Sequence, residues 1–241
     1  MKCAVVVGAS SGIGREVSRL LAQSGWRVGL AARRESALEE TKADFSGRME
    51  VAALDINDER SSQILMQLVE RLGGMDLYLH ASGIGKQNLP LDEHIEMNTV
   101  ETNAKGFARM VGTAYRYMEE HGGGHIAVVS SIAGTKGLGA APSYSATKAF
   151  QSTYIEALEQ QAGMRKLNIR FTDIRPGFVD TPLLGGSSRY PMLMSADNVA
   201  RDIVRAINKK RRVHVIDWRY RAVVFFWQLI PRCIWRKMRV R

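Results

Sequence analysis

The chain has 241 residues, 45% of them apolar and 24% charged, with a formal net charge of +10. That length suits one large α/β domain or two small ones, and the composition excludes a disordered or collagen-like chain. The only cysteines, Cys3 and Cys233, lie at opposite ends, so no disulfide framework is expected and a reducing compartment is. The five histidines show no Cys/His spacing pattern, so no metal site is expected.

The excess charge has an address. From Lys209 to Arg241 there are eleven Lys/Arg and one acid, Asp217, which leaves residues 1–208 electrically balanced. Trp218, Trp227 and Trp235 lie in the same segment. No run reaches the roughly 18 apolar residues that a spanning helix needs. The apolar run Cys3–Val7 is too short for a secretory signal. A cytoplasmic location is expected, membrane-peripheral if the basic segment binds lipid.

Candidate strands are Ala4–Val7, Arg27–Ala31, Met49–Leu54, Leu77–His80, His125–Val129, Asn168–Ile174 and Val213–Ile216. Several are continuous apolar runs, the mark of strands covered on both faces. Helical periodicity falls near 13–24, 35–44, 58–72, 92–120, 143–163 and 196–209, with Ser195 as an N-cap and Gly25 and Gly163 as stops. Strand–helix alternation with short connections predicts a Rossmann-like α/β fold. It would be a doubly wound parallel sheet of about seven strands in an αβα sandwich. Residues 1–217 form one domain in this reading, and 218–241 a basic, aromatic, amphipathic tail.

The first strand runs into Gly8-Ala9-Ser10-Ser11-Gly12-Ile13-Gly14 and then a helix. Glycines there let the backbone turn tightly and approach a pyrophosphate, which the free N–H groups of the helix start can hold. An NAD site wants an acid at the tip of the second strand. This strand ends Ala31-Ala32-Arg33-Arg34, and guanidiniums offer forked contacts to a 2′-phosphate, so NADP(H) is expected over NAD(H), with Arg33 first off the strand. Asp55, after the third strand, is placed to accept from an adenine amino group.

Tyr144 and Lys148 stand at i and i+4 on one predicted helix face. Ser131 follows the buried strand His125–Val129 at the carboxyl edge of the sheet, where ligands bind in such folds. Its neighbour Ser130 is an equally good hydrogen-bonder. Asn103 sits mid-helix, where propensity disfavours an amide.

In the glycine motif, Asn103, Ser131, Tyr144, Lys148 and the segment Pro176-Gly177-Phe178-Val179-Asp180-Thr181, the chain resembles the short-chain dehydrogenase/reductase family over roughly residues 3–217. Two positions depart from the family pattern. Val7 stands where a threonine is usual, and His80-Ala81-Ser82-Gly83 where Asn-Asn-Ala-Gly is frequent.

The resemblance implies a cofactor site comprising Gly8, Ser10, Ser11, Gly12, Ile13, Gly14, Arg33, Arg34, Asp55, Ile56, Ala81, Gly83, Tyr144, Lys148, Pro176, Gly177, Val179 and Thr181. It also implies catalysis by Tyr144 as general acid/base on a small-molecule carbonyl or secondary alcohol. Lys148 would lower the tyrosine pKa, Ser131 would bind the substrate oxygen, and Asn103 would hold a water linking Lys148 to solvent. The contrary reading is a catalytically silent nucleotide sensor or scaffold, which would not need Ser131, Tyr144 and Lys148 together.

Residues 178–195 form the expected substrate loop. Leu183, Leu184, Tyr190, Met192, Leu193 and Met194 make it apolar, Gly185-Gly186 serve as its hinge, and Leu138–Ala141 add small walls. An apolar or amphipathic substrate is expected. In the tail, Val223, Trp227, Ile230, Ile234 and Met238 mark an apolar stripe, with Arg221, Arg232, Arg236 and Arg239 off it and Pro231 opening a second short helix. Anionic lipid and a second subunit both fit this segment, the latter as part of a homodimer or homotetramer. Nucleic acid does not, because no binding motif accompanies the charge.

Overall fold

The computed structural model describes residues 1–45, 47–184 and 190–238. The elements in chain order are β1 (Cys3–Val7), α1 (Gly12–Gln23), β2 (Arg27–Ala32), α2 (Glu35–Ala43), β3 (Met49–Ala53), α3 (Ser61–Leu72) and β4 (Leu77–His80). They continue with α4 (Glu93–Val100), α5 (Phe107–Glu120), β5 (Gly124–Val129), α6 (Pro142–Met164), β6 (Ile169–Arg175), β7 (Val179–Asp180) and β8 (Met194–Ser195). Last come α7 (Ala196–Asn208), β9 (Val213–Val215), α8 (Trp218–Leu229) and α9 (Arg232–Trp235). Seven strands pair in parallel in the order β3-β2-β1-β4-β5-β6-β9, and β7 and β8 form a separate two-stranded ladder. The chain is a doubly wound α/β fold.

Period-two alternation decides which side each strand residue serves. Ala4 and Val6 of β1 turn to one face, with Val17 and Leu21 of α1 and Val199, Ile203 and Ile207 of α7. Val5 and Val7 turn to the other, with Leu65, Leu68 and Leu72 of α3, Phe107 and Met110 of α5, and Ile155 of α6. With both faces of the sheet covered, the strands read as continuous apolar runs. The order reverses between β1 and β4, so the chain leaves the sheet in opposite directions there and opens a crevice at the carboxyl ends of the strands.

Two sequence expectations change. The helix expected over 92–120 is broken by a π-helical turn at Glu101–Gly106, between α4 and α5. Periodicity cannot show one inserted residue in a long helix, and such turns cluster at functional sites. The tail is also more integrated than its charge suggested. Tyr220 and Val224 of α8 are buried in the same core cluster as Val179 and Ile216.

Candidate active site

A cleft of about 1030 Å³ opens over the carboxyl edge of the sheet. Every residue expected in the cofactor and catalytic sets lines it except Asn103, which lies fully buried behind its wall.

At one end, β1 turns into α1 with Gly8 at φ +93° and Gly12 at φ +52°. A Cβ on Gly8 would stand 2.5 Å from Ser82 N, so β1 and the segment after β4 meet only because that position is bare. Ser11 caps α1 without a side-chain bond, and the first turn holds no acid. The helix start therefore presents unfilled N–H donors and positive dipole to the cleft, a fit for a diphosphate. Arg33 and Arg34 leave β2 beside it. Arg34 Nη2 donates to Ser10 Oγ at 3.4 Å, which ties the tip of β2 to the glycine turn. Asp55 accepts from Asn57 N at 3.0 Å and lines the cleft next to the buried Ile56.

At the other end, α6 carries Tyr144 and Lys148. Its N-terminus is held from outside the helix: Ser143 N donates to Glu96 Oε2 of α4 at 3.1 Å. Lys148 is buried, with Nζ 5.8 Å from the Tyr144 ring centroid, and it donates to Val129 O at 2.9 Å and Gln151 Oε1 at 3.0 Å. Burial pulls the ammonium down to about 8, with Asp173 opposing. Burial also holds Tyr144 above its ordinary range, and the force acting against it comes from the Ser131 hydroxyl. The expected lowering by Lys148 is not the governing effect here, because desolvation of the phenolate outweighs an ammonium that other acceptors hold.

The two serines separate cleanly. Ser130 Oγ donates to the buried Asp173 carboxylate, whose other oxygen pairs with Arg175, so Ser130 is structural. Ser131 caps the short 3₁₀ turn Ile132–Thr135 through Ala133 N at 3.1 Å and keeps its hydroxyl beside Tyr144.

A protein-family model for short chain dehydrogenases matches residues 2–190. The chain belongs to the short-chain dehydrogenase family. It is 31% identical over 239 residues to an uncharacterized oxidoreductase of Mycobacterium tuberculosis, covering 95% of this chain and 94% of that one. An uncharacterized oxidoreductase of Myxococcus xanthus is 33% identical over 199 residues, covering 79% and 77% of the two chains. Among solved structures, an alcohol dehydrogenase from Thermococcus sibiricus complexed with 5-hydroxy-NADP superposes with TM-score 0.76 at 26% identity, covering 90% of this chain and 95% of that one. A short-chain dehydrogenase from Streptomyces avermitilis shares the fold with TM-score 0.82 at 23% identity, over 94% and 93% of the two chains.

This short-chain dehydrogenase carries features that its sequence did not reveal. Asn103 sits in the π turn and clamps the loop after β4: its Oδ1 accepts from Ile84 N at 2.9 Å and its Nδ2 donates to Ile84 O at 2.6 Å. Its main-chain oxygen accepts from Gln151 Nε2 at 2.9 Å. The Gln151 amide thus connects Asn103 to Lys148. The signal was a polar residue on the buried face of α6. His80 bonds the Tyr78 hydroxyl at 2.9 Å and meets Phe107 edge-on at 5.0 Å, and burial holds it neutral with a pKa of about 3.

The wall of the cleft beside Tyr144 is built from both sequence-predicted loop residues and the tail. Leu183, Leu184, Tyr190 and Met192 line the cleft, with Tyr190 stacked on Phe178 at 4.5 Å. Met194 does not: it is buried in the core on β8, and Leu193 lies off the cleft, because the two-residue ladder with β7 turns this stretch toward the core. Gly185 and Gly186 lie outside the described residues, as does Arg239. Leu138, Ala140 and Ala141 form small walls, and Val223 and Trp227 of α8 close the far side. Tyr220 fixes α8 there: its hydroxyl accepts from Phe178 N at 3.1 Å and donates to Pro191 O at 2.8 Å. Its ring lies where a Cβ on Gly177 would have to be, so that position takes no larger residue without displacing α8.

Proposed function

We propose that this oxidoreductase uses NADP(H) to reduce a carbonyl, or oxidise the matching secondary alcohol, on an apolar or amphipathic small molecule. The observation that carries the reading is one continuous cleft with Tyr144, Ser131 and Lys148 at one end and a bare helix start flanked by two arginines at the other.

The α1 N-terminus and the glycine turn would hold the diphosphate, Arg33 and Arg34 the 2′-phosphate, and Asp55 and Ile56 the adenine. Ala81, Gly83, Pro176, Gly177, Val179 and Thr181 would border the nicotinamide half. When bound, the nicotinamide supplies or accepts the hydride. The protein's part is the proton. Tyr144, held neutral by burial, donates its phenolic proton to the substrate oxygen during reduction and takes it back during oxidation. Ser131 donates a hydrogen bond to the same oxygen and stabilises its developing charge. Lys148 places an ammonium one turn from Tyr144, where it favours the phenolate left after proton transfer. Val223, Trp227, Leu183, Leu184 and Met192 make the substrate end apolar, which favours a substrate without dense charge.

The test is consumption of NADPH across a panel of apolar aldehydes and ketones by the wild type and Tyr144→Phe. Turnover lost in the variant with NADPH affinity intact is expected. Tight NADPH binding by the wild type without turnover of any substrate would make the chain a nucleotide sensor instead.

A further inference from the structure

The exposed side of α8 is hard to reconcile with a solvated surface. On a 3.6-residue period Tyr220, Val223, Val224 and Trp227 share one side of α8, and it is this side that packs on the domain and walls the cleft. The opposite side carries Trp218, Phe225 and Leu229 in a line with Phe226 beside it, and these are 69%, 60%, 65% and 66% exposed. The helix is apolar on both faces, with only one of them used by the fold. The stripe expected from the sequence mixed the two: Val223 and Trp227 pack inward and Ile230 is half-buried, whereas Ile234 and Met238 are exposed.

The bare face is held firmly in place. Trp227 Nε1 donates to Thr135 Oγ1 at 2.9 Å, Trp235 Nε1 to Gly137 O at 2.8 Å and Lys136 Nζ to Ile230 O at 2.6 Å, and the two tryptophan rings meet edge-on at 5.6 Å. Around it stand exposed cations. Among the described residues Arg221, Arg232, Arg236 and Lys237 form no ion pair, while Arg219 is held by Asp217.

We propose that the outer face of α8, with the basic segment that follows it, is a docking surface for an anionic lipid bilayer. Charge decides the occupant. A two-fold contact between copies would bring this strongly basic segment against itself, and like charges facing each other oppose association. An anionic membrane instead complements the cations and accepts aromatic and aliphatic side chains to the depth of its headgroups. α8 has 12 residues, about 18 Å at helical rise, and no helix of the described residues is long and apolar enough to cross a membrane, so the chain lies on the surface. The proposal goes beyond the catalytic reading and does not depend on it.

The test is co-sedimentation of the full chain with vesicles of phosphatidylcholine alone and with added phosphatidylglycerol. Binding to the anionic vesicles only, weakened by salt, is expected. The double variant Phe225→Glu/Phe226→Glu should abolish pelleting with its thermal midpoint and NADPH affinity unchanged. Met164→Glu, on a distant exposed methionine, should pellet like the wild type. Arg232→Gln and Arg236→Gln should each weaken binding about fivefold, from the attraction of one charge to an anionic surface. Failure of the wild type to pellet with anionic vesicles would overturn the proposal, as would equal pelleting by the double variant. A wild-type dimer that the double variant dissociates, without vesicle binding by either, would assign the face to a second copy.

Discussion

Lys148 Nζ and Gln151 Oε1 lie 3.0 Å apart, both side chains buried, and the same Gln151 amide donates to the main-chain oxygen of Asn103. One side chain therefore orients the ammonium of α6 and locks it to the π turn, which in turn holds the loop after β4 against Tyr144. The catalytic end of the cleft is a closed network of α6, the π turn and the β4 loop. An amide carbonyl stabilises the ammonium without carrying a charge of its own.

That arrangement predicts opposite pH shifts for two Gln151 variants. In the proposed mechanism Lys148 acts as the ammonium, and its pKa is pulled down to about 8, so kcat/KM for carbonyl reduction should be flat at neutral pH and fall as pH rises through about 8. Gln151→Leu removes the acceptor, further disfavours the buried ammonium and should move the alkaline limb to lower pH. Gln151→Glu places a carboxylate beside it and should move the limb up by about 1 unit or more. Both are read from pH profiles with NADPH, and a limb that stays put in both variants would mean that Gln151 does not govern Lys148.

A second prediction concerns acid stability. His80, buried, and His125, half-buried, are held neutral by desolvation, with pKa values of about 3 and about 4. In the unfolded chain a histidine gains its proton near 6.5, so below that pH the unfolded state binds more protons and stability falls as pH drops. Each histidine contributes up to about 1.4 kcal/mol per pH unit across that window. Urea denaturation at pH 7 and pH 5 should show a marked loss for the wild type. His80→Asn, which cannot titrate, should show a smaller loss between the same two pH values, whatever its stability at pH 7.

The fold was legible because its signals are local and redundant: Ala4/Val6 and Val5/Val7 alternate to two covered faces, and glycine punctuates the turn into α1. Spacing alone placed Tyr144 and Lys148 on one helix face, a geometry that survives any tertiary arrangement, while their candidate catalytic role came from the family resemblance. What escaped is what only tertiary contact defines. The role of Gln151 depends on an oxygen 48 residues away, and Tyr220 reaches back 42 residues to Phe178 N. The choice between Ser130 and Ser131 rests on where Asp173 of β6 comes to lie. Periodicity also cannot assign faces when both are apolar, as in α8.

Arg33 and Arg34 make separable predictions for cofactor choice. Arg33 stands exposed at the cleft with no described hydrogen-bond partner, whereas Arg34 also braces Ser10 of the glycine turn. Arg33→Ala should raise the KM for NADPH about 10- to 100-fold, the worth of a hydrogen bond between charged groups, and leave NADH nearly unchanged. Arg34→Ala should weaken both cofactors, because the turn that holds the shared diphosphate loses its brace. Steady-state kinetics with the two cofactors separate these patterns, and equal loss of NADPH and NADH in Arg33→Ala would move the 2′-phosphate contact elsewhere.

The Tyr220 hydroxyl is the link through which α8 shapes the substrate end. It accepts from Phe178 N and donates to Pro191 O, and both partners belong to the segment that borders the substrate. Tyr220→Phe keeps the ring packed over Gly177 but leaves that donor and acceptor without a partner, at a cost of about 1–3 kcal/mol. The thermal midpoint should fall accordingly. Because the loosened segment carries Tyr190 and Met192 on the cleft wall, KM for an apolar substrate should rise several-fold, whereas NADPH affinity, which on the proposed reading rests chiefly on the α1 N-terminus at the opposite end of the cleft, should hold. Gly177→Ala should lower the midpoint and raise this KM more severely by driving a methyl into the Tyr220 ring, and it should weaken NADPH as well because Gly177 borders the proposed nicotinamide site. The pair Gly177→Ala/Tyr220→Ala should recover part of the lost midpoint, since the clash is removed with the ring. No recovery in the double variant would place the damage in the Pro176–Phe178 backbone rather than in the seating of α8.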